Sequence, residues 1–199
     1  MKNIAIYGAG GFGKEVRGML DLQRGLYSFA GYFDDHKDGI DAVQGDQFDD
    51  VLVSIADPFI RMRLVNAWSK KKVPYHSLIS PDVQLHPSVK VGMGSIICQG
   101  VKFTIDIRLG AFVIINLNST IGHDVVMGDF CSLMPSVNIS GNVTLGKRVF
   151  IGTGATVLQG LSIGDDTIIG AGAVVTKSIK AGATVVGVPA QTMLKNERA

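Results

Sequence analysis

From Ile79 to Val175 an apolar side chain stands at every sixth residue. The series runs Ile79, Leu85, Val91, Ile97, Phe103, Leu109, Ile115, Ile121, Met127, Leu133, Ile139, Leu145, Ile151, Val157, Ile163, Ile169 and Val175, with no break of frame. The residue four places after each of these leads is also small or apolar, as at Val89, Val101, Val113, Cys131, Val143 and Ala155. An α-helix repeats about every 3.6 residues and cannot hold a six-residue register over such a length. Repeated hexapeptides predict a parallel β-helix.

Glycine directly follows the lead at Gly92, Gly110, Gly128, Gly146 and Gly164, a spacing of 18. Three hexads therefore make one coil, and residues 18 apart stack as adjacent strands do, about 4.8 Å from each other. These glycines are expected at corners of the coil, where a left-handed or otherwise strained backbone is cheapest without a side chain.

Before residue 78 the texture differs. An apolar run from Asn3 to Tyr7 meets Gly8-Ala9-Gly10-Gly11-Phe12-Gly13, and Val16, Met19 and Leu20 then follow at helical spacing. A second strand is predicted over Ser28 to Phe33 and a third over Val51 to Ile55. Asp57-Pro58 then starts a helix that runs to about Lys72. This is a βαβαβ order, which argues for a small parallel sheet. The expected organisation is an α/β domain over 1–77, an all-β coil over 78–190 and a polar tail over 191–199.

Composition narrows the class. Of 199 residues 25 are glycine, 46% are hydrophobic and only 7% aromatic, so the core is built mainly from Ile, Val, Leu and Ala. A net charge of +2 carries no nucleic-acid or membrane-surface signal. No apolar run approaches the roughly 18 residues of a membrane span, and the N-terminal apolar stretch reaches glycine too early for a secretory signal. Cys98 and Cys131 fit neither a metal-ligand spacing nor a disulfide framework, which predicts reduced thiols in a cytoplasmic protein.

Two constellations carry chemistry. Gly8, Gly10 and Gly13 form a GxGxxG between a strand and a helix, and Asp34 lies 21 residues beyond Gly13. Backbone amides at such a helix start can hold a diphosphate, and the acid can bind ribose hydroxyls. The stretch before the coil is about half a dinucleotide fold, so a nucleotide with one base fits better. The second constellation is His123, two places after a lead and therefore facing outward. Gly141 lies 18 residues on and stacks beside it. A general base next to a bare backbone amide can take a proton from a nucleophile while the amide stabilises an oxyanion. Asp124 can hold the imidazole. His86 does not share a column with His123, and no three-histidine metal site is expected within one chain.

At this point the chain resembles the nucleotide-sugar acetyltransferases that join an N-terminal Rossmann-like domain to a C-terminal left-handed β-helix. That family includes the N-acetyltransferases of bacillosamine and perosamine synthesis and the sialic-acid O-acetyltransferases. The resemblance rests on Tyr7 to Lys14, Phe33-Asp34-Asp35, Asn116 to Asp124, Ser140 to Val143 and Gly187-Val188-Pro189-Ala190. It implies a homotrimer using acetyl-CoA as co-substrate, bound in a cleft between neighbouring coils. It further implies His123 as general base, Asp124 as its partner and Gly141 as the amide donor to the acetyl carbonyl. Gly10, Gly11, Phe12, Asp34 and Asp35 match nucleotide-sugar positions, and Ala56 lies in the wall expected to hold the base. Thr153 and Ala171 match cofactor contacts, and Ser132 stands where relatives carry a second histidine near the cofactor. Phe12 likewise stands where relatives often have histidine.

The expected reaction is acetyl transfer to the amino group of a UDP-, dTDP- or GDP-linked sugar. O-acetylation of a sugar, a non-catalytic trimeric module that binds nucleotide sugar, and an NAD-dependent oxidoreductase remain alternatives at this level.

Overall fold

The computed structural model describes residues 1–23, 25–34, 48–68 and 73–193. Strand β1 (Lys2–Tyr7) is central in a three-stranded parallel sheet of order β2-β1-β3, with β2 at Tyr27–Phe33 and β3 at Asp50–Val53. Helix α1 (Gly11–Asp21) buries Gly13, Val16, Met19 and Leu20, the face anticipated from their spacing. Helix α2 (Pro58–Trp68) begins where Asp57 Oδ1 accepts the amides of Phe59 and Ile60, both at 2.9 Å, as an N-cap does. The remaining stretch of the longer helix expected here, with Lys70-Lys71-Lys72, and the segment between β2 and β3 lie outside the described residues.

Beyond residue 78 the chain winds as a parallel solenoid with three faces. The first face carries Leu78–Ile79, Ile96–Ile97, Ile114–Ile115, Ser132–Leu133, Phe150–Ile151 and Ile168–Ile169. The second carries Lys102–Phe103, Thr120–Ile121, Asn138–Ile139, Thr156–Val157 and Val174–Val175, and the third runs from Arg108–Leu109 to Ser162–Ile163. Ladders between coils pair residues 18 apart, as in Ile114 with Ser132 and Thr120 with Asn138, until the last coil, where Ile168 pairs with Thr184 at an offset of 16. The leads point inward and make one continuous apolar core.

The corners correct one expectation. Gly92, Gly110, Gly128, Gly146 and Gly164 do not hold the left-handed backbone, which falls two residues later in the hexad. There it is adopted by Phe112, Asn118, Asp124, Phe130, Ser136, Asn142, Arg148 and Asp166, with φ between 57° and 62°. The glycines are required by contact between coils instead. A Cβ on Gly92 would lie 2.3 Å from the Gly110 carbonyl oxygen, and one on Gly164 would lie 2.3 Å from the Ala181 nitrogen. The left-handed residues each cost about 1–2 kcal/mol, which hydrogen bonds to the preceding coil help offset, such as Phe130 N to Ala111 O at 2.8 Å. At the C-terminus Gln191–Thr192, exposed and polar, adds an antiparallel strand to Thr184–Val186, and residues 194–199 of the expected tail lie outside the described residues.

The outer surface of the first face is not exposed in its early coils. Leu78, Ile96 and Ile114 are at most 1% accessible and share a core with Ile4, Ile6, Val16, Met19 and Leu20 from the β1–α1 unit. Arg61 of α2 fastens the same junction. Fully buried, its guanidinium donates to the carbonyls of Phe112 (3.0 Å), Phe130 (2.8 Å), Cys131 (3.1 Å), Ala56 (3.2 Å) and Ile55, and to Ser132 Oγ (2.9 Å). Burial lowers its pKa to about 9, so it stays a cation at neutral pH, solvated by carbonyl dipoles in place of water. Removing it strands several buried acceptors at once. Arg61→Met is expected to lower unfolding stability by about 3–5 kcal/mol, read as a reduced urea midpoint at constant denaturant slope.

Candidate active site

The edge between the second and third faces is built from corner hexads. His123 follows Ile121 of the second face, and Asp124 occupies a left-handed corner position with φ 59°. This turn brings the carboxylate back against the ring, with His123 Nδ1 2.8 Å from Asp124 Oδ2. A carboxylate only accepts, so Nδ1 donates to it, and the neutral ring in this tautomer holds its lone pair on Nε2. Both side chains are about half exposed, at 55% and 53%.

The ring lies over the next coil. A Cβ added to Gly141 would sit 2.4 Å from His123 Nε2, so glycine alone leaves room for the imidazole there. The register is clamped by Asn142 N donating to His123 O at 2.8 Å. At the same hexad position on another edge, the amides of Ala111 and Lys147 are capped by Asp129 Oδ1 (3.0 Å) and Asp165 Oδ1 (2.8 Å) of the next coil. Gln159 stands in that place above Gly141, and among the described residues the Gly141 amide has no acceptor. The edge thus places a lone-pair nitrogen beside an uncommitted N–H donor.

Thr153 and Ala171 lie on a different edge, between the first and second faces, where both are exposed. They stack one above the other, Gly172 N donating to Thr153 O at 2.8 Å. Neighbouring Gly154 and Gly172 have nothing within 4 Å of a Cβ, so this edge of the solenoid is smooth and open. Ser132 does not join either edge. It is fully buried, accepting from Arg61 at 2.9 Å and donating to Ala56 O at 2.6 Å. A hydroxyl held twice inside the junction does not face a cofactor, which corrects its expected role. Ala56 is drawn into the same junction through its carbonyl.

The glycine loop forms as expected between β1 and α1. Gly8 has φ +101°, and a Cβ on Gly13 would meet the Gly8 carbonyl oxygen at 1.9 Å, so these two glycines are structural. Ser54 Oγ donates to the carbonyls of Tyr7 (2.8 Å) and Gly8 (3.0 Å), fixing the turn from behind. Gly10 and Gly11 face open space. Asp34 Oδ2 accepts the Ala9 amide at 2.8 Å, so the acid sits against the loop. Phe12 packs against the core that the β1–α1 unit shares with the first face, as Leu117 does from the solenoid side. Asp35 lies outside the described residues.

A cleft of ≈ 770 Å³ opens beside the loop, lined by Tyr7, Asp34, Ile55, Ile60, Arg63, Leu64, Asn66 and Ala67. Sequence reasoning missed its α2 wall. The available signal was Ile60, Leu64 and Ala67, a second apolar stripe at helical spacing beside the buried Arg61 and Val65. The thiols of Cys98 and Cys131 are buried and pushed up to about 12, which leaves them inert. Among the described residues no helix is long and apolar enough to cross a membrane.

Comparison with known proteins agrees with this layout. Residues 3–68 match the model of the PglD N-terminal domain, and residues 124–159 and 142–177 match the bacterial transferase hexapeptide model of six repeats. Among solved structures, WeeI from Acinetobacter baumannii AYE is 32% identical with a TM-score of 0.87, covering 97% of this chain and 100% of that one. PerB from Caulobacter crescentus, solved with CoA and GDP-perosamine, is 30% identical with a TM-score of 0.89 over 98% of each chain. The acetyltransferase domain of PglB from Neisseria gonorrhoeae FA1090 is 29% identical with a TM-score of 0.87, over 97% and 100%. No curated protein matches at a significant level. Full-length likeness at this identity gives the solenoid its left hand, and the chain belongs to the PglD/NeuD-like family of hexapeptide-repeat sugar acetyltransferases.

Proposed function

We propose that this acetyltransferase moves the acetyl group of acetyl-CoA onto the amino group of a nucleotide-linked amino sugar, with His123 as general base. The observation that carries the reading is His123 Nε2 standing over Gly141, with Nδ1 held by Asp124 at 2.8 Å. His123 Nε2 takes the proton that the sugar nitrogen sheds as it bonds to the thioester carbon. Asp124 keeps the ring in the tautomer with a basic Nε2 and balances the imidazolium that forms. The Gly141 N–H donates to the oxygen on which negative charge develops. CoA thiolate leaves and takes up a proton.

The acyl donor lies along Thr153 and Ala171, where small exposed residues and glycines leave room for a thin pantetheine arm. This column and His123 are on different edges of one solenoid, with the whole second face between them. The two sets meet when a neighbouring copy turns its second face to a common axis, so the working unit is a homotrimer with three shared sites. The second face suits this role. Its outward residues Lys102, Thr120, Asn138, Thr156 and Val174 are mostly small and uncharged, and Thr120 Oγ already donates to Asn138 Oδ1 at 2.8 Å. In such a trimer CoA lies along one subunit and the general base comes from the next.

The test follows thiol released from acetyl-CoA across UDP-, dTDP- and GDP-linked amino sugars. His123→Ala is expected to lower kcat by about 10²–10⁴ with the trimer intact by light scattering; near-normal turnover defeats the assignment. Gly141→Ala should cost about 10² in kcat, because the new methyl displaces the ring and crowds the amide. The shared site has its own signature. Co-assembly of His123→Ala with Ala171→Trp, each inactive alone, should recover about a quarter of wild-type activity under random mixing, whereas a site within one chain would recover none.

A further inference from the structure

Helix α2 carries apolar residues on two sides. Arg61 and Val65 are buried in the junction, while Ile60, at 55% exposed, and Leu64 face the cleft beside the glycine loop. Ile60 and the half-buried Leu64 give the cleft an apolar wall of the kind that ligand pockets use. The cleft lies at the carboxyl ends of β1, β2 and β3, where Tyr7, Asp34 and Ile55 reach it, which is the ligand side of an open parallel sheet. With a diphosphate on the loop amides and a ribose at Asp34, the α2 wall receives the base.

Arg63 projects from that wall into the cleft. Among the described residues it has no hydrogen-bond or ion-pair partner, unlike the α2 cation Arg61. A guanidinium presents a rigid fork of donors and no acceptor. It is best matched by a ring edge with two adjacent acceptors, which guanine offers through O6 and N7. Adenine alternates acceptor and donor on that edge, and thymine or uracil offers a single carbonyl oxygen there.

We propose that the cleft binds the base of the nucleotide sugar as guanine, and that Arg63 selects it by two hydrogen bonds to O6 and N7. The inference rests on the nucleotide-sugar reading above, and binding rather than turnover separates the two. Calorimetric titration of the full chain with GDP, UDP and dTDP should show GDP tighter by about tenfold or more. Arg63→Lys keeps the charge but not the fork, so both Arg63→Lys and Arg63→Gln should weaken GDP to the level of UDP while leaving UDP and dTDP within about twofold. Equal wild-type affinities overturn the proposal. So does a parallel loss for all three nucleotides in Arg63→Gln that Arg63→Lys restores, since that pattern puts Arg63 on the diphosphate. Failure to bind any of the three, with acetyl-CoA binding intact, defeats the nucleotide-sugar reading itself.

Discussion

Close stacking of coils, at an advance of 18 residues in all but the last, is the constraint on which this structure depends. Because each coil hydrogen-bonds directly to the next, backbone meets backbone at the corners, and several positions admit no side chain at all. The same contact that forbids a Cβ at Gly92 or Gly164 sets His123 against Gly141. A solenoid with looser coils would have room for a side chain at 141, and the imidazole would lose its neighbour. The phenyl rings of Phe112 and Phe130, 18 apart, stack at 5.1 Å with planes only 5° apart and report the same register from another edge. The geometry of the candidate site is a by-product of the repeat, set by the same coil-to-coil contacts as the rest of the solenoid.

The junction between the α/β unit and the solenoid is the second determinant. It is held by a shared apolar core and by Arg61, whose charge is solvated almost wholly by main-chain carbonyls from two coils and the β3–α2 loop. Carbonyl ligands are insensitive to side-chain identity, so the anchor depends on backbone path alone. Its effect is to fix α2, and with it the cleft wall, relative to the coils. Ser132 is absorbed into the same anchor through Ala56 O. Both residues therefore shape the nucleotide side of the molecule from behind, by positioning the β3–α2 turn, and neither reaches the reacting groups.

Much of this was readable in the residues themselves. The six-residue period and the 18-residue glycine spacing fixed the ladder register, and simple addition placed Gly141 beside His123. The glycine loop and Asp34 were legible because a strand-to-helix turn has few solutions. Other assignments failed for identifiable reasons. Gly92, Gly110 and their repeats were expected at left-handed corners, since composition does not distinguish a residue that needs positive φ from one that needs an absent Cβ. Ser132 was expected near the cofactor only from the resemblance, since it stands where relatives carry a second histidine; on the first face, its outward position turns into the α/β unit.

The sequence by itself determined the solenoid, its register and the pairing of His123, Asp124 and Gly141, because all of these follow from local period and short-range turns. Only the tertiary structure decided which of the three faces the α/β unit covers. That choice buried Ile96, Ile114 and Ser132 and opened the α2 stripe with Arg63 to a cleft. A repeat treats its three faces alike, so their different fates come from long-range packing that no hexapeptide encodes.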